Sequence, residues 1–234
     1  MAGGLGTRLR RVVADRPKVL AEVNGRPFLC YLLDQLTAAG IRRIVICGGY
    51  MAGTLRETLG FGYGQAELLY SLENEPLGTG GALRLALPLL ESERFLVSNG
   101  DSFFDADLQS LHRSHLASGA AVSMLLARVA DVSRFGSVDI CPDGLVTRFE
   151  EKGAVSGRGL INAGIYMLER SVVAAISPDV SVSLEREVFP SLVGNGLYGL
   201  SQEGGFIDIG IPDDYQAAAA FFRQRKDFIC KELI

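Results

Sequence analysis

Gly3, Gly4 and Gly6 fall within four positions, Thr7 and Arg8 follow them, and Lys18 lies ten residues beyond Arg8. Glycines at that density give a loop whose backbone N–H groups approach an anion with no side chain in the way. Thr7 adds a hydroxyl donor, Arg8 a planar fork of donors for phosphate oxygens, and Lys18 a compact point charge. Such a set suits transfer at a phosphorus atom. The loop, from Ala2 onward, holds a triphosphate, and the two cations absorb charge developing at the α-phosphorus, as nucleotidyl transfer requires. The segment is not a P-loop, which places Lys-Ser/Thr directly after its last glycine where this chain has Thr7-Arg8-Leu9. Nor is it the dinucleotide fingerprint, since Leu9 stands where the third glycine would fall.

Asp101 is the next candidate. It follows the apolar run Phe95-Leu96-Val97 and the turn residues Asn99-Gly100, so its carboxylate can reach a cation seated on phosphates. Mg²⁺ takes one or two carboxylates together with phosphate oxygens. Read alone, Asp101 serves equally well as the N-cap of a turn. Asp208, in Phe206-Ile207-Asp208-Ile209-Gly210, repeats the pattern of one charge closing an apolar strand.

These residues need a frame, and the pattern supplies one. Pro27 opens a helix carrying Phe28, Leu29, Leu32, Leu33 and Leu36, which closes near Gly40. Ile44-Val45-Ile46-Cys47 is a buried strand stopped by Gly48-Gly49. A short helix from Leu55 to Leu59 and a strand near Leu68-Leu69-Tyr70 come next. Gly78 to Leu90 reads as a helix and Phe95 to Ser98 as a strand. Strands alternating with helices predict a mainly parallel sheet covered on both faces, with ligands beyond the carboxyl ends of the strands. Farther on, Val122 to Val129, Gly136 to Ile140 and Val146 to Phe149 read as strands joined by turns such as Pro142-Asp143-Gly144, and predict an antiparallel insertion. His112 and His115, three apart on a predicted helix, are expected at the surface.

A chain of 234 residues that is 48% hydrophobic can bury one large core. Its net charge of −4 argues against nucleic acid as a partner. Cys30, Cys47, Cys141 and Cys230 are scattered without a C-x-x-C pair, which suits reduced thiols of a cytoplasmic protein rather than a zinc site. No apolar run is long enough to span a membrane. A homodimer is compatible with the sequence and not specified by it.

The glycine loop with Thr7-Arg8, Pro17-Lys18, Glu150-Glu151-Lys152 and Asn162-Ala163-Gly164 together resemble the signature of the sugar-1-phosphate nucleotidylyltransferases, and the resemblance covers nearly the whole chain. It implies the nucleotide-diphospho-sugar transferase fold: α/β, a three-layer Rossmann-like sheet with helices on both faces and a small antiparallel insertion on the sugar side. One domain is expected, with residues 1–120 as nucleotide lobe and 121–234 as sugar-phosphate lobe and C-terminal helix. By the same resemblance Asp101 and Asp208 hold Mg²⁺. Ala2, Gly3, Gly4, Gly6, Thr7, Arg8, Glu73, Gly78, Thr79 and Gly100 bind the nucleotide. Asn99, Gly136, Glu151, Lys152, Asn162 and Gly164 bind the sugar phosphate, and Arg8 and Lys18 are catalytic. The usual Lys-Pro is Lys152-Gly153 here.

Glu73 stands where thymidylyl- and uridylyltransferases often carry Gln. Guanine offers two adjacent donors, which a carboxylate can accept together, so Glu73 favours GTP. Gly78 to Gly81 would let the base lie against backbone, with Thr79 bonding its edge. The runs Asn99 to Leu108, Gly159 to Tyr166, Ser183-Leu184-Glu185 and Phe206 to Tyr215 resemble the branch that transfers GMP to D-glycero-α-D-manno-heptose 1-phosphate. Mannose 1-phosphate, a uridylyl or thymidylyl donor, and a molybdenum-cofactor guanylyltransferase are the enzyme alternatives. A catalytically silent subunit that only binds nucleotide-sugar is the alternative outside enzymes. The family places a short apolar strand ahead of the glycine loop, so such a strand is expected upstream of Met1.

Overall fold

The computed structural model describes residues 1–3, 16–49, 51–150 and 155–225. Along the chain a two-residue hairpin, β1 (Glu22–Val23) and β2 (Arg26–Pro27), leads into α1 (Phe28–Ala38). Then come β3 (Arg43–Gly48), α2 (Ala52–Leu59), β4 (Gly62–Tyr63), β5 (Ala66–Leu72), α3 (Gly78–Ala86), β6 (Arg94–Ser98), β7 (Ser102–Phe104) and α4 (Leu108–Ser118). The second half holds β8 (Val122–Val129), β9 (Ser137–Ile140), β10 (Val146–Glu150), β11 (Gly159–Glu169), α5 (Arg170–Ala174) and α6 (Phe189–Leu192), then β12 (Leu197–Gln202), β13 (Phe206–Asp208) and α7 (Pro212–Arg223).

The local reasons are plain in α4. Asp107 caps it by accepting from the Ser110 N–H at 2.9 Å, and Gly119, at φ 63°, closes it in the left-handed region. Leu108, Leu111 and His115 are its buried face, at the spacing of one helical stripe. His115 is therefore interior, not surface as its neighbours in sequence suggested, with 1% of its area exposed.

The α/β architecture holds, and its sheet is mixed. In the order β12-β8-β11-β6, β12 runs parallel to β8, while β11 is antiparallel to both β8 and β6. A second sheet pairs β3 with β5 in parallel, with β4 antiparallel at its edge. Thus Val122 to Val129 does not belong to the small insertion. It is the centre of the larger sheet, because both of its faces are apolar. Met124 and Leu126 enter one core cluster, and Leu125 and Ala127 enter the cluster on the opposite face. The antiparallel insertion consists of β9 and β10 alone, joined across a turn in which Gly144, at φ 91°, donates to the Cys141 carbonyl.

Between β3 and β6 lies a cavity of about 430 Å³, lined by Ile44 to Cys47 on one side and Phe95 to Ser98 on the other. Met1 and Ala2 bridge its end. The Ala2 N–H donates to Cys47 at 2.7 Å, the Met1 amino group to the Ser98 carbonyl at 2.6 Å, and the Gly100 N–H to the Met1 carbonyl at 2.8 Å. Met1 is thereby held in parallel register beside the end of β6, where the chain turns into the site.

Candidate functional site

The two strand-end carboxylates converge. β7 and β13 pair antiparallel with Ser102 opposite Asp208, and the Ile209 N–H donates to the Asp101 carbonyl at 2.9 Å. Asp101 and Asp208 thus reach the same mouth from neighbouring strands. Between them stands Lys18, whose Nζ lies 2.7 Å from Asp101 Oδ2 and 4.0 Å from Asp208 Oδ1. Gly210 follows closely enough to donate its N–H to Asp208 Oδ1. Two carboxylates around a shared cation are hard oxygen ligands of the kind Mg²⁺ takes alongside phosphate oxygens, so the residues fit a divalent ion.

The turn that carries Asp101 depends on small residues. A Cβ on Gly100 would stand 2.6 Å from the Met1 carbonyl oxygen, so the backbone can pass only as glycine. The Asn99 N–H donates to the Gly164 carbonyl at 2.8 Å. Gly164, at φ 76°, presses its bare Cα toward Asn99 and Ser102, where a Cβ would meet the Asn99 amide nitrogen at 2.9 Å. The β11–β8 register shifts between Asn162 and Tyr166, and at that irregularity Asn162 Oδ1 accepts from the Gly164 N–H at 2.9 Å. Asn99, Asp101, Asn162 and Gly164 are brought together.

Glu73 is folded back against Gly3 and Gly49. A Cβ on Gly3 would collide with Glu73 Oε1, and one on Gly49 would fall 2.6 Å from the same atom. Oε2 accepts from the Leu77 N–H at 3.1 Å. Burial pushes the Glu73 carboxyl up, against the pull of that N–H. Ala2 and Gly100 lie along the same edge through the bonds of Met1 and Ala2.

Gly78, Gly80 and Gly81 pack closely against a segment remote in sequence. The Val180–Val182 segment fills their open side: a Cβ on Gly78 would meet the Val182 carbonyl oxygen at 2.5 Å, and one on Gly81 the Val180 oxygen at 2.5 Å. The Gly80 N–H donates to Val182 at 2.8 Å. Thr79 is also engaged. Its hydroxyl donates to Glu185 Oε2 at 2.7 Å and accepts from the Leu184 N–H at 2.8 Å, leaving one lone pair for a ligand. Gly136, at φ 83°, closes the turn before β9, with its N–H on the Val132 carbonyl at 3.0 Å. Gly4, Gly6, Thr7, Arg8, Glu151 and Lys152 lie outside the described residues.

Sequence reasoning passed over Tyr166, which is fully buried with its hydroxyl between Asn162 and Glu185. Its signal was weak, a tyrosine four residues after Asn162 in an otherwise apolar strand.

The nucleotidyl transferase family matches residues 1–225. The chain belongs to that family. It is 35% identical over 219 residues to D-glycero-alpha-D-manno-heptose 1-phosphate guanylyltransferase of Aneurinibacillus thermoaerophilus, covering 93% of this chain and 94% of that protein. It is 35% identical to mannose-1-phosphate guanylyltransferase of Mycobacterium tuberculosis, over 94% of this chain and 62% of that one. The crystal structure of HddC from Yersinia pseudotuberculosis complexed with GMP-PN superposes with a TM-score of 0.84 at 35% identity, covering 94% of this chain and 96% of that one. Family membership accounts for the frame: an α/β nucleotidyltransferase whose charged residues gather at strand ends. Among the described residues no helix is long and apolar enough to cross a membrane.

Proposed function

We propose that this chain transfers GMP from GTP to D-glycero-α-D-manno-heptose 1-phosphate, releasing pyrophosphate and forming the GDP-sugar. The observation that carries the reading is the convergence of Asp101 and Asp208 on Lys18 beside the turn of Asn99 and Gly100. The guanine and heptose assignments are supported by the full-length similarity to the heptose 1-phosphate guanylyltransferase and by Glu73 against Gly3 and Gly49.

In the reaction an oxygen of the sugar phosphate attacks the α-phosphorus in line. One P–O bond forms, the bond to the β-phosphate oxygen breaks, and its electron pair leaves with pyrophosphate. No covalent enzyme intermediate is needed, because catalysis is positioning and charge neutralisation. Lys18 offsets charge on the α-phosphate, Arg8 is assigned to the leaving phosphates, and Lys152 to the sugar phosphate. Glu73 accepts from the guanine edge, while Asn99 and Asn162 orient the sugar. Mg²⁺ held by Asp101 and Asp208 would lower the repulsion between two anionic substrates. Residues 1–120 form the nucleotide lobe, from which Asn99 reaches the sugar, and 121–234 the sugar-phosphate lobe.

The test is pyrophosphate release across GTP, UTP and dTTP, each with heptose 1-phosphate and mannose 1-phosphate. GTP with the heptose phosphate is expected to give the highest kcat/KM. A preference for UTP or dTTP removes the guanylyl reading. A preference for mannose 1-phosphate, which the similarity to the mycobacterial enzyme favours, moves the acceptor alone.

A further inference from the structure

Beyond the metal-type pair, α3 and β11 are joined by an unbroken chain of side-chain hydrogen bonds, and its centre is Glu185. Glu185 Oε2 accepts from Thr79 Oγ1 at 2.7 Å and from Ser183 Oγ at 3.1 Å. Glu185 Oε1 accepts from the Tyr166 hydroxyl at 3.3 Å. That hydroxyl in turn accepts from Asn162 Nδ2 at 2.9 Å, and Asn162 Oδ1 accepts from the Gly164 N–H at 2.9 Å. Thr79 lies in the first turn of α3, among the residues assigned to the nucleotide, whereas Asn162 and Gly164 sit in β11, among those assigned to the sugar phosphate. Glu185 itself belongs to a single wide helical turn, Leu184–Val188, capped by Ser183.

Every donor in the chain points toward Glu185. Three hydroxyls spend their only hydrogen on its carboxylate, which has no hydrogen to give. The direction is passed on: with its hydrogen committed, the Tyr166 oxygen can only accept, so Asn162 must present its NH₂ to it and its oxygen to Gly164. One N–H and one lone pair of Asn162 are left for a ligand. Tyr166 is fully buried, and burial with the nearby Glu185 carboxylate raises its phenol well above the ordinary range, so it stays protonated.

We propose that Glu185 is a positioning residue which, through Tyr166, fixes the orientation of the Asn162 amide toward the sugar and, through Thr79, ties that orientation to the start of α3. The proposal rests on the guanylyltransferase reading above. Its substance is a polarity that one nearly isosteric change reverses. Glu185→Gln brings two hydrogens to a point that donors already face, and its NH₂ drives the Tyr166 hydroxyl to donate toward Asn162. The amide of Asn162 must then turn, and its NH₂ meets the Gly164 N–H.

The experiment measures kcat and both KM values for wild type, Glu185→Gln, Tyr166→Phe and the double variant, with Tm followed in parallel. Glu185→Gln is expected to raise KM for the sugar 1-phosphate by about tenfold, the scale of one misplaced hydrogen bond to a buried group, with a smaller rise for GTP. Tyr166→Phe is expected to raise KM for the sugar 1-phosphate while leaving that for GTP unchanged. The double variant should be no worse than Glu185→Gln on the sugar side, because the link is already broken. Additive losses, or a loss in active fraction with both KM values unchanged, assign Glu185 a structural role only and overturn the proposal. So does a Glu185→Gln enzyme with wild-type kinetics. A wild-type protein silent with every nucleotide and acceptor overturns instead the reading beneath it, and the two failures are distinct.

Discussion

Two sides of the candidate site, the edge that carries Glu73 and the network around Glu185, are built by opposite means. At the Glu73 edge the fit comes from side chains left out: Gly3 and Gly49 make room for Glu73, and Gly100 makes room for the Met1 carbonyl. Around Glu185 it comes from side chains put in, a chain of bonded groups running from Thr79 through Glu185 and Tyr166 to Asn162. A site made of vacancies is damaged by adding atoms, and a site made of a network is damaged by removing them.

The largest effect should fall where both sides meet. Asp101→Ala and Asp208→Ala are each expected to abolish divalent-cation-dependent turnover, a loss of several kcal/mol of transition-state stabilisation, with the fold retained by circular dichroism. Near wild-type turnover in either variant would strip that residue of the role. Next comes Glu73→Gln, which keeps the volume and removes one charged acceptor. Competition between GTP and UTP should show the preference for GTP eroding by about 1.5–3 kcal/mol. An unchanged ratio would place base selection elsewhere.

Gly100→Ala tests the vacancies directly, because its Cβ would meet backbone that cannot swing aside. Thermal unfolding should show a cost of about 1–3 kcal/mol, the range for overpacking. A variant as stable as wild type would mean that the Met1–Gly100 contact relaxes at no cost.

The smallest effect is expected outside both sides. His115 Nδ1 lies 2.8 Å from Ser123 Oγ and its Nε2 lies 3.2 Å from Glu169 Oε1, with Arg94 also on that carboxylate and His112 nearby. Burial lowers the imidazole below its ordinary 6.5, outweighing the pull of Glu169. The unfolded chain therefore binds a proton at His115 sooner than the folded chain, so this residue's contribution to stability is present above pH 6.5 and declines as pH falls below it. Urea midpoints measured on either side of that pH, for wild type and His115→Gln, should show a shallower decline in the variant.

Much of the frame was legible because it is local. The spacing of Leu29, Leu32, Leu33 and Leu36 gave α1, and the apolar runs ending at Gly48 and Ser98 gave β3 and β6. Asp101 and Asp208 could be paired because each ends such a run. Position in the sheet was harder to read. The turns that follow Val122 to Val129 point to the insertion, whereas its apolar residues on both faces mark a central strand. The α4 stripe of Leu108, Leu111 and His115 already carried the burial of His115 in its period. What no local pattern could show was the Glu185 chain, since Thr79 and Glu185 are separated by 106 positions. The glycines at 78–81 illustrate the same limit, their partner Val182 being equally remote in sequence.

The irregularity of β11 has a consequence of its own. A strand in a ladder ordinarily commits its N–H and C=O groups to its neighbours. Where the pairing with β8 shifts between Asn162 and Tyr166, the Gly164 N–H is released to the Asn162 side chain and its carbonyl accepts from the Asn99 N–H. Ile161, Ala163, Ile165 and Met167 nevertheless keep to one core cluster on the same face of the strand. The interruption thus sets a polar anchor into a buried strand without turning any core residue outward.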